Sequence, residues 1–140
     1  MRNIKHTYCV LLIGMLSVFA NAEISVIVNP SNPNAGIDQA TVSKIFLGKS
    51  KSFPDGTQAV PIDQDDGSAT RKTFNSSLLG KSASQLKSYW SRLIFTGKGT
   101  PPKQSGNDAS IKNLVANNLN IIGYIDSSAV DASVKVVHKF

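Results

Sequence analysis

The chain has 140 residues, with 15 Lys+Arg against 9 Asp+Glu, 41% hydrophobic and 17% charged residues. That is the size of one ordinary domain, and no tract is biased enough to read as low complexity, which argues against multidomain enzymes, fibrous chains and disordered ones. The basic excess is mild, and the lysines look scattered along the chain, so it reads first as a solubility feature.

Residues 1–22 have the three parts of a secretory signal. Arg2, Lys5 and His6 form a basic start, Tyr8 to Ala20 is an almost unbroken apolar run, and Ala20-Asn21-Ala22 offers small residues for a signal peptidase. Cleavage is expected before Glu23. A run of about 13 apolar residues is shorter than the roughly 20 a membrane-spanning helix needs, which argues against an anchor and against membrane insertion of the mature chain. Cys9, the single cysteine, lies inside this segment and is followed by Val10, so the pattern of a lipoprotein signal is missing and the exported part carries no thiol. A domain over residues 23–140 in the periplasm follows as the expectation.

Glu23 to Asn29 is rich in β-branched residues and stops at Pro30, which predicts a first strand. After a turn-rich loop, Asp38 is a good N-cap for a helix carrying Val42, Ile45 and Phe46 and ending at Gly48. Pro54-Asp55-Gly56 marks a turn, and Gln58 to Ile62 a second strand. A second helix follows Ser68-Ala69-Thr70, with Phe74, Leu78 and Leu79 facing inward and Gly80 past its end.

Ser82-Ala83-Ser84-Gln85 fits a capping box and opens the best helix in the chain. Leu86, Tyr89, Trp90, Leu93 and Ile94 fall at helical spacing and predict a stripe buried against the sheet. Gly97 to Gly106 reads as an exposed loop. Asn107 or Asp108 can cap a fourth helix whose apolar face is Ile111, Leu114, Val115 and Leu119. Ile121 to Ile125 and Val134 to Val137 predict two further strands. Alternating strands and helices give an α/β layered domain with some parallel pairing.

No catalytic constellation stands out. His138 is the only histidine past the leader and reads as a solvated tail residue, while Asp63, Asp65 and Asp66 lack the Glu that completes a calcium loop. Neither a metal nor another cofactor is expected, and export without an arginine-rich stretch argues against nucleic acid. The informative segment is Asp66-Gly67-Ser68-Ala69-Thr70-Arg71. A small-residue turn with hydroxyls that opens a helix gathers unpaired N–H groups, the positive end of the helix dipole and O–H donors around one point. Arg71 can add a forked cation, and Asp66 can accept a hydrogen bond from a protonated oxyanion. Equally, Ser68 is simply a helix cap and Arg71 a surface residue.

Several short pieces recur in one order: Ile45-Phe46-Leu47-Gly48-Lys49, Phe53-Pro54-Asp55-Gly56, the 66–71 turn with Phe74, Tyr89-Trp90, Phe95-Thr96-Gly97, Pro101-Pro102 and Ile122-Gly123-Tyr124. In that order the chain resembles the phosphate-type substrate-binding proteins of ABC transporters, over nearly all of residues 23–140. The resemblance implies a periplasmic-binding-protein-like (type II) α/β fold, here one lobe, with a mixed sheet flanked by about four helices. It also implies binding of phosphate or a similar oxyanion without chemistry, and a membrane transporter or sensor as partner. By position, Gly67, Ser68 and Thr70 match that family's phosphate-contacting Gly-Ser-Gly-Thr turn and Asp66 precedes it. Ala69 replaces the second glycine, and Gln64 stands where many transport proteins have an arginine, which leaves Arg71 as the nearest guanidinium. The competing expectation is a periplasmic interaction module that keeps the fold and docks on a membrane sensor, transporter or outer-membrane protein without a ligand.

Overall fold

The computed structural model describes residues 23–140. The secretory signal expected at residues 1–22, with Cys9, lies outside the described residues.

Five strands form one mixed sheet in the order β3-β2-β4-β1-β5. Strand β1 (Ile24–Val28) runs antiparallel to β4 (Ile121–Asp126) on one side and to β5 (Lys135–Lys139) on the other. Strand β2 (Val60–Asp63) runs parallel to β4 and to β3 (Lys103–Gln104). Hydrogen-bonded on both edges and covered on both faces, β1 is buried at all five positions, four of them apolar, and the fifth, Ser25, pairs its hydroxyl with that of Ser127. The two-residue β3 was not expected: it lies in the Gly- and Pro-rich 97–106 stretch, and its register comes from pairing with Ile62 and Asp63, not from its own composition. His138, expected as a solvated tail residue, instead lies within β5, half-buried and opposite Val26.

The alternation of side chains in β1 divides the core between the two faces of the sheet. Ile24, Val26 and Val28 pack with Val42, Ile45 and Phe46 of α1 (Gln39–Phe46) and with Phe74 and Leu78, while Ile27 packs with Ile111 and Val115 of α4 (Asp108–Asn117). The result is three layers. Helix α1 starts where Asp38 accepts the Thr41 N–H at 2.8 Å, as the cap predicted. Leu119, expected on the face of α4, lies beyond that helix's end and is half exposed, because the chain has already turned toward β4.

Helix α2 (Ala69–Thr73) passes directly into a π-helical segment, Phe74–Leu79, which ends at Gly80 in the left-handed conformation. Phe74 and Leu78 point inward as expected. Helix α3 (Ala83–Phe95) has the full capping box, with Ser82 Oγ accepting the Gln85 N–H and Gln85 Oε1 accepting the Ser82 N–H. Its expected burial against the sheet is corrected. Only Leu86 is buried; Tyr89, Trp90 and Leu93 are half-buried, and Ile94 and Phe95 are exposed. Helix α3 docks not on the strands but at the end of α1, where the Tyr89 hydroxyl donates to the Leu47 carbonyl at 2.6 Å and the Trp90 ring lies beside Gly48. Amphipathic spacing fixes which residues share a face, but not how much of that face a neighbour covers.

Candidate functional site

The carboxyl end of β2 delivers Asp63 and Gln64 to the edge of the core, and the chain then turns through Gly67 into α2. Gly67 has φ +87°, a conformation that L side chains rarely adopt, so a glycine is needed to bring Ser68 round as the cap. Ser68 Oγ accepts the Arg71 N–H at 3.1 Å and donates to Gln64 Oε1 at 2.6 Å. The cap expected from the sequence is present.

Gln64 is the hub that sequence reasoning passed over. It is 1% exposed. Its Nε2 donates to Asp108 Oδ1 at 2.6 Å and to the Tyr124 carbonyl at 3.0 Å, and its own carbonyl accepts Arg71 Nη1 at 3.0 Å. This one amide joins β2, α2, β4 and the start of α4. Nothing local to Gln64 announces this, because its partners Asp108 and Tyr124 lie 44 and 60 residues away in the chain.

Beneath the turn, Phe74 stacks on Tyr124 with ring centroids 3.8 Å apart, and Phe46 meets both rings edge-on. This stack aims the Tyr124 hydroxyl at Asp63, to which it donates. Burial pushes the Asp63 carboxyl above its ordinary value, against the Tyr124 hydrogen bond and the Arg71 charge that pull it down. Burial, with the adjacent Asp63 carboxylate, raises the Tyr124 phenol and keeps it protonated.

Arg71 is 18% exposed and already has partners: Asp66 Oδ1 at 2.8 Å and Asp63 Oδ2 at 3.7 Å. It is therefore a half-buried structural cation, not the surface residue of the bland reading. The six residues singled out from the sequence surround one turn but do not face one point. Ser68 and Thr70 line a shallow pocket of about 370 Å³ that also touches Gly106, Asn107 and Asp108 at the start of α4. Asp66, Gly67, Ala69 and Arg71 line a second concavity on the other side, and Ser68 borders both. The two carboxylates in the shallow pocket are engaged, since Asp65 accepts the Gly106 N–H at 3.0 Å and Asp108 accepts Gln64 Nε2.

Charge is less evenly spread than the scattered lysines suggested. From Gly67 to Asn107 the chain has seven Lys+Arg and no acidic residue. That span builds α2, the π-helical segment, α3 and β3, which therefore carry cations and no acid of their own.

No protein-family model and no curated protein matches the chain. Solved structures do. A protein described as a phosphate ABC transporter substrate-binding protein with bound phosphate, from Clostridium perfringens, superposes with a TM-score of 0.67 at 29% identity, over 83% of this chain and 45% of that one. The chain is thus similar, over a periplasmic-binding-protein-like α/β fold, to phosphate ABC transporter substrate-binding proteins. An ABC-type phosphate transport receptor from Vibrio cholerae (TM-score 0.65, 21% identity, 84% of this chain and 46% of that one) has the same fold. So does PstS from Borrelia burgdorferi (TM-score 0.62, 12% identity, 83% and 47%). The chain thus spans less than half the length of each of these phosphate-binding-protein relatives. They are binding proteins by description, not enzymes. Among the described residues, no helix is long and apolar enough to cross a membrane.

Proposed function

We propose that the chain is a periplasmic solute-binding-like protein that takes phosphate or a similar tetrahedral oxyanion at the Asp66 to Arg71 turn, without chemical turnover, in phosphate uptake or sensing. The supporting observation is the Ser68-capped start of α2, set at the end of β2 beside Arg71, in a chain 29% identical to a structure with phosphate bound. The N–H groups of Ala69 and Thr70 lie in the first turn of α2, before any intrahelical acceptor, and are the donors this reading uses. A dissolved oxyanion must displace Asp66 from Arg71, an exchange of one exposed carboxylate for another anion. Calorimetric titration with phosphate and sulfate in low salt tests the reading, and no heat at millimolar phosphate would sink it.

A second reading has its own observation. Both roles of the Ser68 hydroxyl are filled internally, Arg71 is paired, and among the described residues no buried side-chain polar atom lacks a partner. A turn so satisfied suits an interaction module that docks on a membrane sensor or transporter. Such a module gains no thermal stability from phosphate, whereas a binding protein gains it as the ligand passes its Kd. Export is part of both readings, and protein recovered from the periplasm should begin at Glu23.

A further inference from the structure

A groove of about 1010 Å³ lies between the π-helical segment and α3. It exists because α3 leans on the end of α1 and leaves its apolar side only partly covered. Leu79, Leu86, Trp90 and Ile94 line it, and Ile94 is 54% exposed. Its size is at the top of the range of about 300–1,000 Å³ usual for small-molecule sites, which are also mostly apolar.

Its charged lining is one-sided. Lys72, Lys81 and Lys87 line the groove, and none of them belongs to an ion pair among the described residues. The two acids that line it, Asp63 and Asp66, both face Arg71. Three ammonium groups therefore stand around an apolar floor with no carboxylate to answer them.

We propose that this groove binds a free anionic amphiphile: one acidic head held by the lysines, and one alkyl or aryl body laid on Trp90, Leu86 and Ile94. Charge complementarity selects the occupant. A second copy docking through this same face would bring the groove's lysines against their own counterparts. A neutral apolar ligand would leave the three ammonium groups without an anion, and inorganic phosphate would leave the apolar floor wet. The groove borders the Asp66 to Arg71 turn, but the lysines and the Leu86, Trp90 and Ile94 floor on which the proposal rests line the groove alone and not the Ser68–Thr70 pocket, so amphiphile binding there is tested separately from phosphate binding at the turn.

Trp90 is the only tryptophan, so its emission reports on the groove directly. Dodecyl phosphate, kept below the concentration at which it forms micelles, should shift that emission to the blue and saturate, while dodecanol, dodecyltrimethylammonium and inorganic phosphate should not. The double variant Lys81→Glu/Lys87→Glu should weaken the dodecyl phosphate response by about tenfold, the size of one strong charge-assisted contact. Lys139→Glu, exposed on β5 at the other edge of the sheet, should leave it unchanged and shows that net charge alone is not responsible. The proposal is overturned if the emission does not respond, if dodecanol binds equally well, if the double reversal has no effect, or if only anionic vesicles elicit the shift.

Discussion

Arg71 Nη1 lies 2.8 Å from Asp66 Oδ1, joining a side chain that is 18% exposed to one that is 84% exposed. The protein's own carboxylate thus occupies the guanidinium that the proposed oxyanion would have to reach. An exposed pair of this kind contributes only about 0–1 kcal/mol, so a dissolved anion can compete for it. Asp66→Asn should therefore tighten phosphate binding by roughly three- to tenfold while changing stability by less than about 1 kcal/mol. Calorimetry on the variant checks this. Weaker binding would mean instead that the Asp66 carboxylate accepts a hydrogen bond from hydrogen phosphate.

The buried end of the cluster makes a prediction about pH. Burial raises the Asp63 carboxyl above its ordinary value of 3.8, so folding takes up protons there, and its contribution is complete below 3.8 and is lost as pH rises through the raised value. Asp131 works in the opposite sense: the Ser133 hydroxyl, then the Lys112 hydrogen bond, hold it down to about 2, so its contribution is present above 3.8 and lost as pH falls toward 2. Comparison with Asp63→Asn removes this background. Urea midpoints should show the wild type gaining on the variant as pH drops from 7 toward 4. A constant difference would mean that Asp63 titrates as it does in the unfolded chain.

Much of this arrangement was legible in the sequence, because the elements concerned carry local signals. Asp38, Ser68, Ser82 and Asn107 all cap the helices their side chains predicted, since an oxygen acceptor two or three residues before unpaired N–H groups needs no tertiary information. The β-branched run from Glu23 to Asn29 likewise announces a strand, though not its place inside the sheet. What was not legible depends on contacts between distant segments. Lys103–Gln104 becomes a strand only beside β2, Gln64 becomes a hub only when Asp108 and Tyr124 arrive, and α3 leaves Ile94 in solvent while Leu47 and Gly48 engage Tyr89 and Trp90 one turn before it.

Trp90 measures that last difference. A tryptophan closed into a core costs about 3–5 kcal/mol when cut to alanine, but one that is half-buried on a groove should cost only about 1–2 kcal/mol, set by the area it covers. Gly48 is coupled to it. At φ +70° an added Cβ would be strained and would stand 3.3 Å from Trp90 Cη2, so Gly48→Ala should also destabilise by about 1 kcal/mol. Thermal unfolding of both variants checks the pair. A loss of about 4 kcal/mol or more for Trp90→Ala would place the ring in a closed core and remove the open groove with it.

The last prediction separates the structural work of the turn from its binding work. Ser68→Ala removes a cap and the donor to Gln64 together, and should cost about 1–2 kcal/mol of stability. Arg71→Ala should cost at least as much, because it takes the cation from Asp63 and the Nη1 donor from the Gln64 carbonyl, leaving a buried carboxylate with only Tyr124 and a buried acceptor unpaired. A binding defect in that variant would be ambiguous, so Arg71→Lys is the better instrument. Lysine keeps the charge near Asp63 but loses the fork that reaches Gln64 and an oxyanion at once. If the turn binds phosphate, Arg71→Lys should weaken binding by roughly tenfold, the value of one charge-assisted hydrogen bond, with a smaller loss of melting temperature than Arg71→Ala. Unchanged phosphate affinity in Arg71→Lys would leave the guanidinium a purely structural group and move the oxyanion, if one binds, to the Ser68 and Thr70 side of the turn.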